Sequence, residues 1–196
     1  MINEIPLLII AGPTASGKSS LALNIAKKLN TDIISCDSAQ VYRYMDIGTA
    51  KPNLKERAEV KHHLIDYIEP NEDYSAVRYK NDCDKAIKGL ISQNKTPLLC
   101  GGTGMYFNAV LFDMKFGNAY KSEEIRKDLN VLYEKHGAEY LYNLLKTIDK
   151  ETAEKLHVND VKRIIRAIEI YKVSGIKKSA LAEDFKKKAR YKFHFA

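Results

Sequence analysis

No stretch of this 196-residue sequence is long and apolar enough to span a membrane. Cysteine is sparse: Cys36, Cys83 and Cys100 show no C-x-x-C spacing, and two of them fall in apolar runs expected to be buried strands. All three read as reduced structural thiols, which suits the cytosol. The N-terminus lacks the basic segment of a signal peptide; its apolar run is short, follows Glu4 and leads straight into a glycine-rich turn. Internal repeats and low-complexity tracts are absent. His62 and His63 have no cysteine or carboxylate at ligand spacing, so they read as strand-end packing rather than a metal site.

What is present is a phosphate-binding pattern in its proper setting. Gly12-Pro13-Thr14-Ala15-Ser16-Gly17-Lys18-Ser19 matches G-x-x-x-x-G-K-S. Pro6 to Ala11 is the preceding apolar strand, and Ser19 to Leu29 follows with Leu21, Ile25, Ala26 and Leu29 at helical spacing. A loop placed between strand and helix turns its backbone N–H groups onto a phosphate. Lys18 adds a positive charge there, and the Ser19 hydroxyl is the expected ligand for Mg²⁺. The loop implies a polyphosphate, not what is done with it.

Thr31 to Cys36 reads as a second buried strand, forming a βαβ unit with the first. That places Asp37 at a strand's carboxyl end, beside the phosphate loop. A carboxylate there can hold Mg²⁺ through water or take a proton from a nucleophile; Asp-Ser is also ordinary turn chemistry. Further strands are expected over His62 to Tyr67 and Pro97 to Cys100. Helices are expected over Ser75 to Gln93, with Val77, Ala86, Leu90 and Ile91 inward, and over Met105 to Leu111. Gly101-Gly102-Thr103-Gly104 ends a strand, and alone would be a weak signal.

Charge divides the chain. Residues 1–113 carry 13 basic and 13 acidic side chains, so the whole net charge of +7 lies in 114–196. Strand signals stop near Asp113. Helices are expected over 122–135, 138–147, 150–156 and 160–173, with Gly137 and Gly175 at helix ends and a basic tail from Lys186 to Arg190. The fold class is α/β: a P-loop NTPase-like parallel sheet core over 1–113, then an all-helical region over 114–196. The basic region suits a polyanion such as nucleic acid, or is a solvated lysine-rich surface. On the helix from Asp160, Val161, Ile164, Ile165 and Ile168 share an inner face, which leaves Lys162, Arg163 and Arg166 outside it.

In order and spacing, GPTASGKS, DSAQVYRYMDIGTAKP (37–52), HHLID, GGTGMY and LHVNDVKRIIRAIEIY (156–171) resemble the tRNA dimethylallyltransferase, or tRNA isopentenyltransferase, family. The resemblance runs from Pro6 to about Gly175. It implies a transferase, a cytoplasmic monomer, that moves a dimethylallyl group from dimethylallyl diphosphate, with Mg²⁺, to N6 of the adenosine 3′-adjacent to the anticodon. The acceptors would be tRNAs reading U-starting codons. It implies that Gly12 to Ser19 hold the diphosphate and that Asp37 accepts the N6 proton, with Lys18 and Thr103 also catalytic. Ser38, Ala39 and Gln40 would line the base pocket. Arg126 and the run Lys162, Arg163, Ile164, Ile165, Arg166 would contact the anticodon stem-loop, although a helix-surface ion pair with Glu123 or a neighbour is an equal alternative for Arg126. Lys162 replaces the family's usual glutamine, and Asp149-Lys150 its frequent Asp-Pro. Family members run well past Ala196, so a later part of the core is expected to be missing. The alternatives are a P-loop small-molecule or nucleotide kinase, prenyl transfer to free AMP, and a tRNA-binding fragment without turnover.

Overall fold

The computed structural model describes residues 6–112, 122–182 and 189–195. The expected boundary at Asp113 and residues 186–188 of the basic tail lie outside them. The chain forms two compact units, residues 1–113 with 188–196, and residues 114–187.

In the first unit, β1 (Leu7–Ala11), β2 (Ile33–Cys36), β3 (His62–His63), β4 (Leu98–Gly101) and β5 (Phe193–Phe195) form one sheet in the order β3-β2-β4-β1-β5. Every pairing is parallel. The strands are apolar because helices cover both faces. Leu7, Ile9, Ile34 and Leu99 pack with α3 (Ala76–Ser92) and α4 (Gly104–Leu111). Ile10, Ile33, Leu98 and Cys100 pack with α1 (Lys18–Leu29), while α2 (Leu54–Glu59) follows the loop after β2.

Two expectations change, and the sheet order adds what the sequence leaves open. The helix after the phosphate loop turns Ala22 and Ala26 inward and leaves Leu21 and Leu29 about half exposed. Its inner stripe is the small-residue pair spaced i, i+4, with partly buried Leu23 and Ile25 beside it. On α3, Leu90 is buried and Ala86 and Ile91 pack against the core as expected, but Val77 is exposed and Tyr79, Cys83 and Ile87 complete the inner face. β1 and β2 are also not neighbours, because β4 lies between them, matching Ala11 with Gly101 on one side and Cys36 with Gly101 on the other.

Residues 114–196 are not all helical either. β5 adds a strand beside β1, with Leu7 opposite Phe193 and Ile9 opposite Phe195. Its approach is anchored at Asp84 on α3. Arg190 Nη1 and Nη2 donate to Asp84 Oδ1 and Oδ2 at 3.1 and 2.6 Å, and Tyr191 Oη donates to Oδ1 at 2.9 Å. Arg190 therefore holds the core together rather than belonging to a free basic tail.

The second unit contains α5 (Glu123–Ile148), α6 (Lys150–Glu154), α7 (Val161–Ser174) and α8 (Lys178–Ala182). Gly137, at φ 80° and ψ 178°, breaks α5 where the sequence places a helix end, and Gly175, at φ 70°, closes α7. Leu129, Leu141, Leu145, Ala153, Ile164, Ile165 and Ile168 form its core.

Candidate functional site

The phosphate loop leaves β1 at Ala11 and enters α1 through Gly17, whose φ of 81° is the left-handed conformation that glycine adopts without strain. No side chain caps α1, so its first N–H groups stay available to an anion. The loop lies open to solvent. Lys18 Nζ donates to the Pro13 carbonyl at 3.0 Å, folded back onto its own loop.

Asp37 follows β2 and holds its own turn: Oδ1 accepts from the N–H groups of Ala39 at 2.9 Å and Gln40 at 3.2 Å. This is the turn chemistry that Asp-Ser suggests. Oδ2 makes no hydrogen bond among the described residues. A cleft brings Asp37 together with Lys18, Ser19 and Gln40, backed by apolar Ala22, Leu23, Ile33 and Ile65. Ser38, Ala39 and Thr103 adjoin it without lining it.

The end of β4 joins the two halves of this site. Gly12 N–H donates to the Gly101 carbonyl at 3.3 Å, and Thr103 N–H to the Cys36 carbonyl at 3.1 Å. Thr103 Oγ1 accepts from Ser38 N–H at 3.0 Å, so the threonine ties down the Asp37 turn. Gly101 has no room for a side chain: a Cβ there would sit 2.1 Å from the Cys36 carbonyl oxygen. The glycine-threonine stretch, weak in the sequence, is the bridge between phosphate loop and carboxylate.

A second support escaped the sequence reading. Gln40 Nε2 donates to the Thr49 and Ala50 carbonyls at 3.0 and 3.1 Å, folding the loop after Asp37 back on itself. Lys51, its side chain 1% exposed, donates to the Tyr42 carbonyl, Asp46 and Asp66 at 2.9, 2.8 and 2.6 Å. Asp66 also pairs with Arg57. Burial pushes the Asp66 carboxyl up, but hydrogen bonds from Lys51 and Arg57 outweigh it and hold it below the usual range. The signal available in the sequence was a lysine beside a proline in an otherwise polar loop.

His62 Nδ1 lies 2.8 Å from the Val60 carbonyl and His63 Nε2 2.9 Å from Asp32 Oδ2. No group of three His, Cys, Asp or Glu side chains suited to a metal occurs among the described residues. All three cysteines are free and buried; burial pushes Cys36 well up, Cys83 to about 12 and Cys100 to about 11.

In the helical unit, α7 divides its residues by face. Lys162 and Arg163 are exposed, and Arg163 pairs with Asp160 at 2.9 Å. Ile164 and Ile165 are 0% and 7% exposed, within the unit's core. They cannot offer an RNA-contacting surface, because the apolar stripe of α7 packs against α5. Arg126 does form an ion pair, with Glu169 of α7 rather than Glu123, through Nε at 2.8 Å and Nη2 at 3.1 Å.

A phosphate loop on a parallel sheet, facing a strand-end aspartate, with a separate basic helical unit, defines a P-loop NTPase-like α/β protein. A family model described as IPP transferase matches residues 40–196, and one described as isopentenyl transferase matches residues 5–71. The chain belongs to the IPP transferase family. It is 49% identical over 165 residues to a tRNA dimethylallyltransferase of Acetivibrio thermocellus, covering 84% of this chain and 53% of that protein. A tRNA dimethylallyltransferase of Thermoanaerobacter sp. is 44% identical, over 87% of this chain and 54% of its own. Among solved structures, a full-length tRNA isopentenylpyrophosphate transferase from Bacillus halodurans is 40% identical at a TM-score of 0.57, over 88% of this chain and 57% of that one. A eukaryotic dimethylallyltransferase described as acting on tRNA is 31% identical at a TM-score of 0.80, over 97% of this chain and 47% of that one. The chain thus spans about half the length of the curated relatives it matches.

Proposed function

We propose that this chain transfers a dimethylallyl group from dimethylallyl diphosphate to N6 of the adenosine 3′-adjacent to the anticodon, in tRNAs reading U-starting codons. One observation carries it: Lys18 and Ser19 share a cleft with an aspartate whose Oδ2 makes no hydrogen bond among the described residues. A phosphate sink opposite a proton acceptor is what displacement of diphosphate by a weakly nucleophilic amine requires.

In this scheme the loop amides receive the diphosphate, and Lys18 exchanges the Pro13 carbonyl for its oxygens. The exocyclic amine attacks the allylic carbon, the C–O bond to diphosphate breaks and the C–N bond forms. Asp37 Oδ2 takes the N6 proton. Oδ1 stays fixed by the Ala39 and Gln40 amides, so the carboxylate does not have to reorient. To reach the cleft the base must leave its stack, which is cheapest in a single-stranded loop.

The residues fit Mg²⁺. Ser19 offers a hydroxyl to the cleft, and no acidic cluster competes for the ion among the described residues. A sparse set of one hydroxyl completed by phosphate oxygens and water suits this cation. Ser19 would hold it, and the ion would take up charge on the leaving diphosphate. Lys162 and Arg163 supply exposed charge for RNA phosphates. The three free, buried thiols support a reducing, cytoplasmic setting.

The test incubates the protein with labelled dimethylallyl diphosphate and unmodified tRNA, beside an arm with labelled ATP. Label on the tRNA adenosine is expected. Phosphoryl transfer from ATP without label in tRNA would favour a kinase and overturn the proposal.

A further inference from the structure

The helical unit holds a carboxylate that its packing does not require. Glu169 sits on α7 among isoleucines and is 0% exposed. Four donors converge on it. Ser122 N–H and Arg126 Nε meet Oε1 at 2.9 and 2.8 Å; Arg126 Nη2 and Arg166 Nη1 meet Oε2 at 3.1 and 2.6 Å. Ser122 is the residue that caps α5, so the carboxylate also fixes where that helix begins. An apolar residue would fill this space at less cost in desolvation. What the carboxylate adds is direction. It grips two arginines from different helices by their inner edges and leaves their side chains 33% and 35% exposed. Arg126 Nη1 makes no hydrogen bond among the described residues.

We propose that Glu169 is a positioning residue for RNA binding: it holds Arg126 and Arg166 as one preorganised pair that presents two guanidinium groups to backbone phosphates. The proposal rests on the tRNA reading above. It makes a prediction opposite in sign to simple electrostatics. Neutralising an acid beside a basic face should tighten binding of a polyanion. Loss of positioning should weaken it, because the arginines must then be ordered on binding.

The test measures binding of a labelled, unmodified anticodon stem-loop RNA across a salt series, with melting curves to establish folding. Glu169→Gln is expected to bind about tenfold more weakly, with a salt slope smaller by about 1. Equal or tighter binding by the folded variant would overturn the proposal. Should Glu169→Gln fail to fold, Arg126→Lys decides, because it keeps the charge and loses the two-toothed grip. Several-fold weaker binding supports the proposal, and unchanged binding overturns it. If the unsubstituted protein binds no RNA, the tRNA reading and this inference fall together.

Discussion

Gly101→Ala tests whether the end of β4 joins the phosphate loop to the Asp37 turn. The new Cβ would stand 2.1 Å from the Cys36 carbonyl oxygen and 2.8 Å from the Cys36 Cα, both backbone atoms that no rotamer change can move. To reach even 3.0 Å, β2 and β4 must separate by about 1 Å at their ends. Overpacking of this kind costs about 1–3 kcal/mol. The separation also strains the Thr103-to-Cys36 and Ser38-to-Thr103 hydrogen bonds, each contributing about 0.5–1.5 kcal/mol. Together the loss is about 2–6 kcal/mol. Two neighbours calibrate it. Gly102→Ala meets the Gly12 carbonyl at 3.2 Å and should cost less. Gly104→Ala meets nothing within 4 Å, starts α4, and should be neutral or stabilising by up to about 1 kcal/mol. Denaturant unfolding of the three variants measures the series, and turnover of the folded fraction shows whether Asp37 has moved. If Gly101→Ala unfolds at the midpoint of the unsubstituted protein, the close approach is not what holds this edge together.

At the site itself, Lys18→Ala and Asp37→Ala should each abolish most prenyl transfer; near-normal turnover of Asp37→Ala beside an inactive Lys18→Ala would remove the aspartate from the base role. Asp84→Ala removes the carboxylate shared by the Arg190 guanidinium and the Tyr191 hydroxyl, while Arg190 keeps the Val110 carbonyl, so the first unit should lose about 1–3 kcal/mol, seen as a lower unfolding midpoint. Ile164→Ala should cost about 2–5 kcal/mol, whereas Lys162→Ala should leave unfolding unchanged and reduce the salt slope of RNA binding by about 1. Glu169, against burial that raises it, is held below the ordinary glutamate value of 4.5 by hydrogen bonds from Arg126 and Arg166. Its contribution is therefore complete above about pH 4.5 and is lost as the pH falls through the depressed folded value, so acid melting of Glu169→Gln should show a shallower pH dependence over that range.

The phosphate loop, Asp37 and the two-part organisation were legible because each is local. A spacing of glycines, a strand end and a charge imbalance all survive reading in one dimension. The face of α1 is only partly legible: Ala26 and Ile25 pack inward as their spacing suggests, but Leu21 and Leu29 share that period and only packing on the sheet selects Ala22 in their place. β5 escaped for a related reason. Phe193–Phe195 is three residues long, too short to carry a period, and becomes a strand by pairing with β1. Glu169 looked like one more charge on an amphipathic helix; its role depends on Arg126, 43 residues earlier. The run 162–166 was read by resemblance as one binding segment, yet a helix divides five consecutive residues between surface and core, and the two isoleucines fell to the core.

The strand order gives the division of labour in the site a physical basis. Had β1 and β2 been neighbours, the phosphate loop and the Asp37 turn would have left adjacent strands directly. β4 lies between them, and Gly101 lets its end approach β2 more closely than any side chain would allow. The same insertion makes the geometry stiff, since Gly101 contacts both sides through backbone atoms. A nucleotide hydrolase built on this loop has to orient water against a phosphorus atom. Here one cleft is lined by Lys18 and Ser19, by apolar Leu23 and Ile33, and by Asp37, whose Oδ2 has no hydrogen-bond partner among the described residues. A cleft that combines polar, apolar and carboxylate surfaces suits the diphosphate, the hydrocarbon and the amine of the proposed substrates.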